Sequence, residues 1–99
     1  MTEFEKRVYG IIKKISRGEV LTYKQVAVKL GNAGLARAVG NALNKNRDKK
    51  VPCHRVIGSN GHLTGFAHGL KKKSEFLRKE GIIVRDFKIV DFDRVLFKF

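Results

Sequence analysis

Phe4, Val8, Ile11, Ile12 and Ile15 recur at helical spacing with charged residues between them, which predicts an amphipathic first helix. Thr2 and Glu5 form a capping box that can start it, and Gly18 is placed to stop it. Glu19 to Leu21 reads as a short extended link. Thr22 and Gln25 make a second capping box, opening a helix that buries Val26, Ala27 and Leu30 and ends at Gly31. After Gly31-Asn32-Ala33-Gly34, a third helix carries Leu35, Ala38, Val39, Ala42 and Leu43 on its apolar side. Two short helices joined by a tight glycine-bearing turn predict a helix-turn-helix.

Asn44 to Lys50 is a polar, basic loop, and Val51 to Ile57 is expected to be extended. Ser59-Asn60-Gly61 signals a turn, and Leu63 to Phe66 leads into a glycine-bearing loop. Leu70, Phe76 and Leu77, with Lys71, Lys72, Lys73, Arg78 and Lys79 alongside, predict a final helix that stops at Gly81. Beyond it Phe87, Ile89, Val95, Phe97 and Phe99 fall on odd positions with Lys88 and Lys98 between them. That period of two predicts strands, with a hairpin turning at Asp91-Phe92-Asp93. The expected fold is mainly α with a small β element: a winged-helix-like helix-turn-helix domain over residues 1–99, its apolar tail 82–99 packed on it. No repeat, low-complexity tract or linker suggests a boundary.

Composition sharpens this picture in two ways. An apolar share of 42% over 99 residues fits one folded domain with one core. No apolar run approaches the roughly eighteen residues of a membrane span, and Met1 to Glu5 lack the pattern of a secretory signal. Charge is uneven: Lys6 to Lys73 carry 16 basic residues against Glu19 and Asp48 alone, within a net charge of +13. Such a field favours a polyanion, with nucleic acid the default, although a basic solvated surface would give the same total. A membrane surface fits less well, because the basic residues are not gathered on one amphipathic helix.

The single cysteine excludes an internal disulfide or a cysteine-based zinc cluster and points to a reducing, intracellular setting. It sits in Val51-Pro52-Cys53-His54-Arg55-Val56. A lone cysteine is most often a small buried apolar residue. Here Pro52 fixes the backbone, while His54 and Arg55 add positive potential that would favour the thiolate. Cys53, His54, His62 and His68 match no zinc spacing. A papain-like site needs a longer scaffold, and a redox switch usually needs a second cysteine. A reactive thiolate beside a DNA-binding element is left. The small residues Ala36, Ala38, Gly40 and Ala42 in the third helix admit two uses: close helix packing, or a slim face that DNA can approach.

Gly18-Glu19-Val20-Leu21-Thr22-Tyr23, Ala36-Arg37-Ala38-Val39-Gly40, Asn46, Pro52-Cys53-His54-Arg55-Val56 and Gly69-Leu70-Lys71-Lys72-Lys73 leading to Glu80-Gly81 stand in a recognisable order. Over residues 4–81 the chain resembles the C-terminal, active domain of the O6-alkylguanine-DNA alkyltransferases, or methylated-DNA–protein-cysteine methyltransferases. The resemblance implies DNA repair in the cytoplasm, or in the nucleus of a eukaryote. The alkyl group of O6-alkylguanine would pass irreversibly to Cys53, without cofactor or metal, in a monomer that binds double-stranded DNA and no membrane.

The same resemblance assigns the other residues. His54 would take the thiol proton through a water, with Glu80 orienting the imidazole, in the logic of a Cys-His-acid triad; without the resemblance, Glu80 reads as a plain surface residue. Asn46 would tie down the turn that carries the cysteine. Tyr23 would help rotate the nucleotide and give a proton to the departing guanine, and Arg37 would fill the place of the flipped base. Ala36 and Gly40 would let the recognition helix into the minor groove. Thr22, Lys24, Asn32 and Ser59 would contact the DNA backbone. Val56 with Phe66, Ala67 and His68 would line the alkyl pocket.

Departures from the pattern are Arg47 in place of a proline after Asn46, Phe66 in place of a common tyrosine, and His68 in place of glycine or tryptophan. The family's usual N-terminal domain and any counterpart for residues 82–99 are not found. The competing expectation is an alkyltransferase-like protein that binds the lesion without transfer; those have usually replaced the cysteine with tryptophan. A generic basic DNA-binding module with an inert thiol is the third.

Overall fold

The computed structural model describes residues 1–64 and 69–99. Thr2 and Glu5 exchange bonds as their spacing predicts, each side chain accepting the other's backbone N–H, and so open α1 (Glu3–Ile12). Val8, Tyr9 and Ile12 face inward. The Tyr9 hydroxyl donates to the Ala42 carbonyl at 2.6 Å, pinning this helix to a later one. The helix ends before Gly18. Lys14 and Ile15 donate three residues back, to Ile11 and Ile12, and this tighter winding still delivers Ile15 into the core at 2% exposure.

Strand β1 (Leu21–Thr22) runs parallel to β2 (Val56–Ile57), with Leu21 opposite Val56 and Thr22 opposite Ile57. The Thr22–Gln25 capping box starts α2 (Tyr23–Lys29). Gly31, at φ +110°, lets the chain leave it. The Asn32 side chain then accepts the Gly34 N–H at 2.8 Å and opens a 3-10 turn, Ala33–Leu35, that leads into α3 (Ala36–Asn44). Val39, Ala42 and Leu43 of α3 close with Val8, Ile12, Val26 and Ala27 on one buried cluster. Helices α2 and α3 are the expected helix-turn-helix.

Val51 to Ile57 is not one extended stretch. Arg55 donates to the Pro52 carbonyl and Cys53 to the Val51 carbonyl, folding Cys53–Arg55 into a 3-10 turn; only Val56–Ile57 is strand. Helix α4 (Leu70–Lys79) turns Lys73, Ser74 and Leu77 inward. Its inner end joins a second cluster of Val20, Ile57, Leu63, Leu77, Ile82, Val84 and Ile89.

The tail differs most from expectation. Its hairpin pairs β3 (Val84–Arg85) with β4 (Lys88–Ile89) and turns at Asp86-Phe87, not at residues 91–93. Phe92–Val95 form a short helix, α5. The odd-position rule fails because the two turn residues take positive φ, which re-aims the chain beyond them. Ile89 is buried at 3%, whereas Phe87 and Phe99 stay 46% and 53% exposed. Past α5 the chain lies along β1: Val20 donates to the Val95 carbonyl and Phe97 to the Val20 carbonyl. The tail does cover core surface, mainly through backbone pairing and a few side chains.

Candidate active site

The 3-10 turn after Pro52 lifts Cys53 to a half-buried position at the end of α3. Asn46 sits in the loop leaving that helix. Its Nδ2 donates to Cys53 Sγ at 3.1 Å and to the Asp48 carbonyl at 3.0 Å, and its Oδ1 accepts the Asp48 N–H at 3.1 Å. The loop and the sulfur are therefore locked by one amide. In place of the usual proline, Arg47 donates to the carbonyls of Asn44 and Asn46, bracing the same loop from outside.

Glu80 caps α4 and is a hub. His54 Nε2 lies 2.5 Å from Glu80 Oε2, while Arg55 Nε and Nη2 donate to the same carboxylate at 2.9–3.1 Å. The Gly18 N–H adds a bond at 3.0 Å. Arg55 Nη1 reaches back to the Ile15 carbonyl at 2.8 Å, so the pair also ties the end of α4 to the turn after α1. Burial raises the Glu80 carboxyl, but its bonds to Arg55, His54 and Gly18 outweigh that and hold it below the usual range. Burial pushes the His54 imidazole down, and Glu80 only partly reverses it. At neutral pH the ring is therefore neutral, with Nε2–H donating to Glu80 and Nδ1 left as the proton acceptor, without a partner among the described residues. Phe76 packs edge-on against it at 5.5 Å.

The expectation that His54 and Arg55 hold Cys53 as a thiolate is not met. Both side chains turn to Glu80: the carboxylate balances the Arg55 charge, and burial leaves the His54 ring neutral. Burial pushes the Cys53 thiol up, against the lowering by the Asn46 hydrogen bond and the Lys73 charge. The resting group is a thiol that needs a base.

Tyr23 opens α2, and its hydroxyl donates to the Thr64 carbonyl at 3.0 Å. Lys73 Nζ, wholly buried, donates to the carbonyls of Val56 and Thr64 at 2.5 and 2.8 Å and approaches the Tyr23 hydroxyl oxygen at 3.4 Å. Burial pushes its ammonium down to about 7, against the pull of Cys53; burial also raises the Tyr23 phenol.

Of the expected DNA contacts, Lys24, Asn32, Arg37 and Ser59 are exposed, and Arg37 is the second residue of α3. Thr22 is buried and its hydroxyl accepts the Gln25 N–H as a helix cap. Ala36 is partly buried against the first cluster, and a Cβ at Gly40 would make ordinary contact with the Tyr23 ring at 3.8 Å. Val56 is fully buried in β2, with its carbonyl on Lys73. Phe66, Ala67 and His68 lie outside the described residues.

Residues 3–82 match the family model of the 6-O-methylguanine DNA methyltransferase DNA-binding domain. The chain belongs to that family. Among its relatives is the methylated-DNA–protein-cysteine methyltransferase of Kluyveromyces lactis, 49% identical over 83% of this chain and 44% of that one. Mycobacterium tuberculosis OGT in complex with DNA superimposes with TM-score 0.77 at 41% identity, over 82% of this chain and 50% of that one. Schizosaccharomyces pombe Atl1 bound to damaged DNA containing O6-carboxymethylguanine superimposes with TM-score 0.84 at 28% identity, over 99% of this chain and 97% of that one. The chain thus spans about half the length of the curated relatives it matches. The tail does have a counterpart after all, since the Atl1 match runs through it.

Two members of the cluster, Arg55 and Lys73, stand in the alkyltransferase motifs but receive no role from them. Arg55 as the partner of Glu80 carries no local signal, being 25 residues away. Lys73 does carry one. Leu70, Lys73, Ser74 and Leu77 sit at i, i+3, i+4 and i+7, so helical spacing alone puts this lysine on the buried stripe.

Proposed function

We propose that residues 1–99 act as one unit that binds double-stranded DNA carrying O6-alkylguanine and takes the alkyl group onto Cys53, the role of the active part of these alkyltransferases. The observation that carries this reading is the pairing of two sets: Asn46 on the Cys53 sulfur, and His54 on a carboxylate shared with Arg55. In the proposed step His54 Nδ1 receives the thiol proton through a water. The sulfur then attacks the alkyl carbon, a C–S bond forms, the C–O6 bond breaks and its electron pair stays with guanine. Tyr23 supplies a proton to the departing base. The products are guanine in DNA and a thioether, a bond stable in water, so each molecule acts once.

Charge supports the partner. Apart from the buried Lys73 and the paired Arg55, the basic residues between Lys6 and Lys73 favour a polyanion, and Lys24, Asn32, Arg37 and Ser59 are exposed to reach one. Residues 82–99 belong to the unit as its packed tail. No described helix is long and apolar enough to cross a membrane.

The end-to-end likeness to Atl1, tail included, favours a second reading in which the chain binds the lesion without transfer. Intact-mass measurement after incubation with a duplex containing O6-methylguanine separates the two. A gain of one methyl group, absent in Cys53→Ser, supports transfer. Tight lesion binding with unchanged mass would establish the second reading.

A further inference from the structure

The C-terminal segment grips residues 61–63 from several sides. The Leu63 N–H donates to the Phe87 carbonyl at 2.8 Å, and the Ile89 N–H donates to the Gly61 carbonyl at 2.9 Å. His62 pairs antiparallel with Lys88, which makes this stretch an outer partner of the β3–β4 hairpin. The Phe92 ring lies 3.2 Å from where a Cβ on Gly61 would stand, at a φ of +84°. Only glycine accepts that conformation and that neighbour together. These contacts end one residue before Thr64, whose carbonyl receives both the Tyr23 hydroxyl and Lys73 Nζ.

The hairpin turn is strained to achieve this. Asp86 and Phe87 lie at φ +50° and +59°, a two-residue turn whose usual occupants are asparagine and glycine. The Phe87 ring is 46% exposed, so side-chain packing does not account for its conformation. What the conformation achieves is to aim the Phe87 carbonyl at Leu63. Strain of this kind persists where the surroundings fix it, and it gathers around functional sites.

We infer that the β3–β4 hairpin and Phe92 are a positioning clamp for the reactive site: they fix residues 61–64, and through the Thr64 carbonyl they set where the Tyr23 hydroxyl and Lys73 Nζ stand. This role rests on the alkyl-transfer reading and goes beyond the tail's cover of the core. Phe92 touches no reacting atom; it acts through Gly61 and Thr64.

Single-turnover chemistry separates geometry from folding. The end point counts competent molecules, and the rate constant reports how well each is arranged. Full-length Phe92→Ala and Phe92→Leu are reacted with excess O6-methylguanine duplex, and amide exchange is followed at residues 61–64. Phe92→Ala is expected to exchange faster there and to react about tenfold more slowly, since displacements near 1 Å can cost up to about a hundredfold. Its end point stays at one alkyl group per chain. Phe92→Leu is expected to show the same changes at about a threefold loss, and decides the matter should the alanine variant not fold. A lower end point at unchanged rate, faster exchange at unchanged rate, or a slower rate with unchanged exchange would each overturn the clamp. If the unaltered chain accepts no alkyl group, the transfer reading fails, and the exchange comparison alone then decides whether Phe92 holds residues 61–64.

Discussion

Asn46 and Cys53, seven positions apart in the chain, are joined by a single hydrogen bond, Nδ2 to Sγ at 3.1 Å. The same amide holds the Asp48 backbone at both its N–H and its carbonyl. Loop geometry and thiol acidity thus share one side chain. Asn46→Ala is expected to cost about 1–3 kcal/mol in denaturant unfolding, at roughly 1 kcal/mol per lost bond. The Cys53 thiol should also become less acidic and react more slowly with iodoacetamide at pH 8. An unchanged iodoacetamide rate would remove Asn46 from the chemistry.

Glu80→Gln tests the hub. The substitution leaves Arg55 charged, largely buried and without its partner, and breaking such pairs costs about 3–5 kcal/mol. The sign with pH is set by the carboxyl. Its folded value lies below the unfolded one, so its contribution is complete above about pH 4.3 and is lost as pH falls through the folded value. His54, depressed by burial, adds acid sensitivity below its unfolded value of about 6.5. Unfolding curves from pH 7 to pH 3 should therefore fall for the unaltered chain and fall less for Glu80→Gln.

Lys73 predicts the opposite end of the scale. Its folded value of about 7 lies well below the unfolded value of 10.5. Between these values the unfolded chain binds more protons, so stability rises with pH, by up to about 1.4 kcal/mol per unit. Denaturant midpoints measured from pH 7 to pH 9.5 are expected to climb, and the climb should vanish in Lys73→Met. A flat profile in the unaltered chain would mean that the ammonium is held charged by its acceptors.

Arg37 stands exposed near the start of α3. Arg37→Ala should slow methyl transfer from duplex far more than from the free O6-methylguanine base, because only the duplex requires a flipped nucleotide. Equal losses on both substrates would place Arg37 in the pocket. Duplex affinity should fall with salt by about 0.9 log units per decade for each phosphate neutralised.

Truncation after Ile83 removes Val84 and Ile89 from the second buried cluster, and with them the strand pairing to Val20. Two such side chains are worth roughly 3–6 kcal/mol. At about 4–8 °C per kcal/mol for a domain this size, thermal melting should drop by more than about 12 °C. An unchanged melting temperature would show that the tail adds nothing to the core.

The amino-acid sequence by itself determined whatever depends on neighbours a few residues apart. The capping boxes at Thr2–Glu5 and Thr22–Gln25, the exits at Gly31 and Gly81, and the helix-turn-helix all rest on bonds spanning three or four residues. Family motifs single out Cys53, His54, Glu80 and Asn46 from the sequence alone. Tertiary structure decided what depends on packing between distant segments. Glu80 meets His54 across 26 residues and Gly18 across 62, so its partners are fixed by how α4 lies on the turn after α1. Cys53 rests as a thiol because its half-buried position raises its pKa against the Asn46 hydrogen bond and the Lys73 charge, and that position is set by packing. The tail's period of two predicted strands, but the turn at Asp86-Phe87 depends on the Phe87 carbonyl finding Leu63, a partner no local pattern encodes.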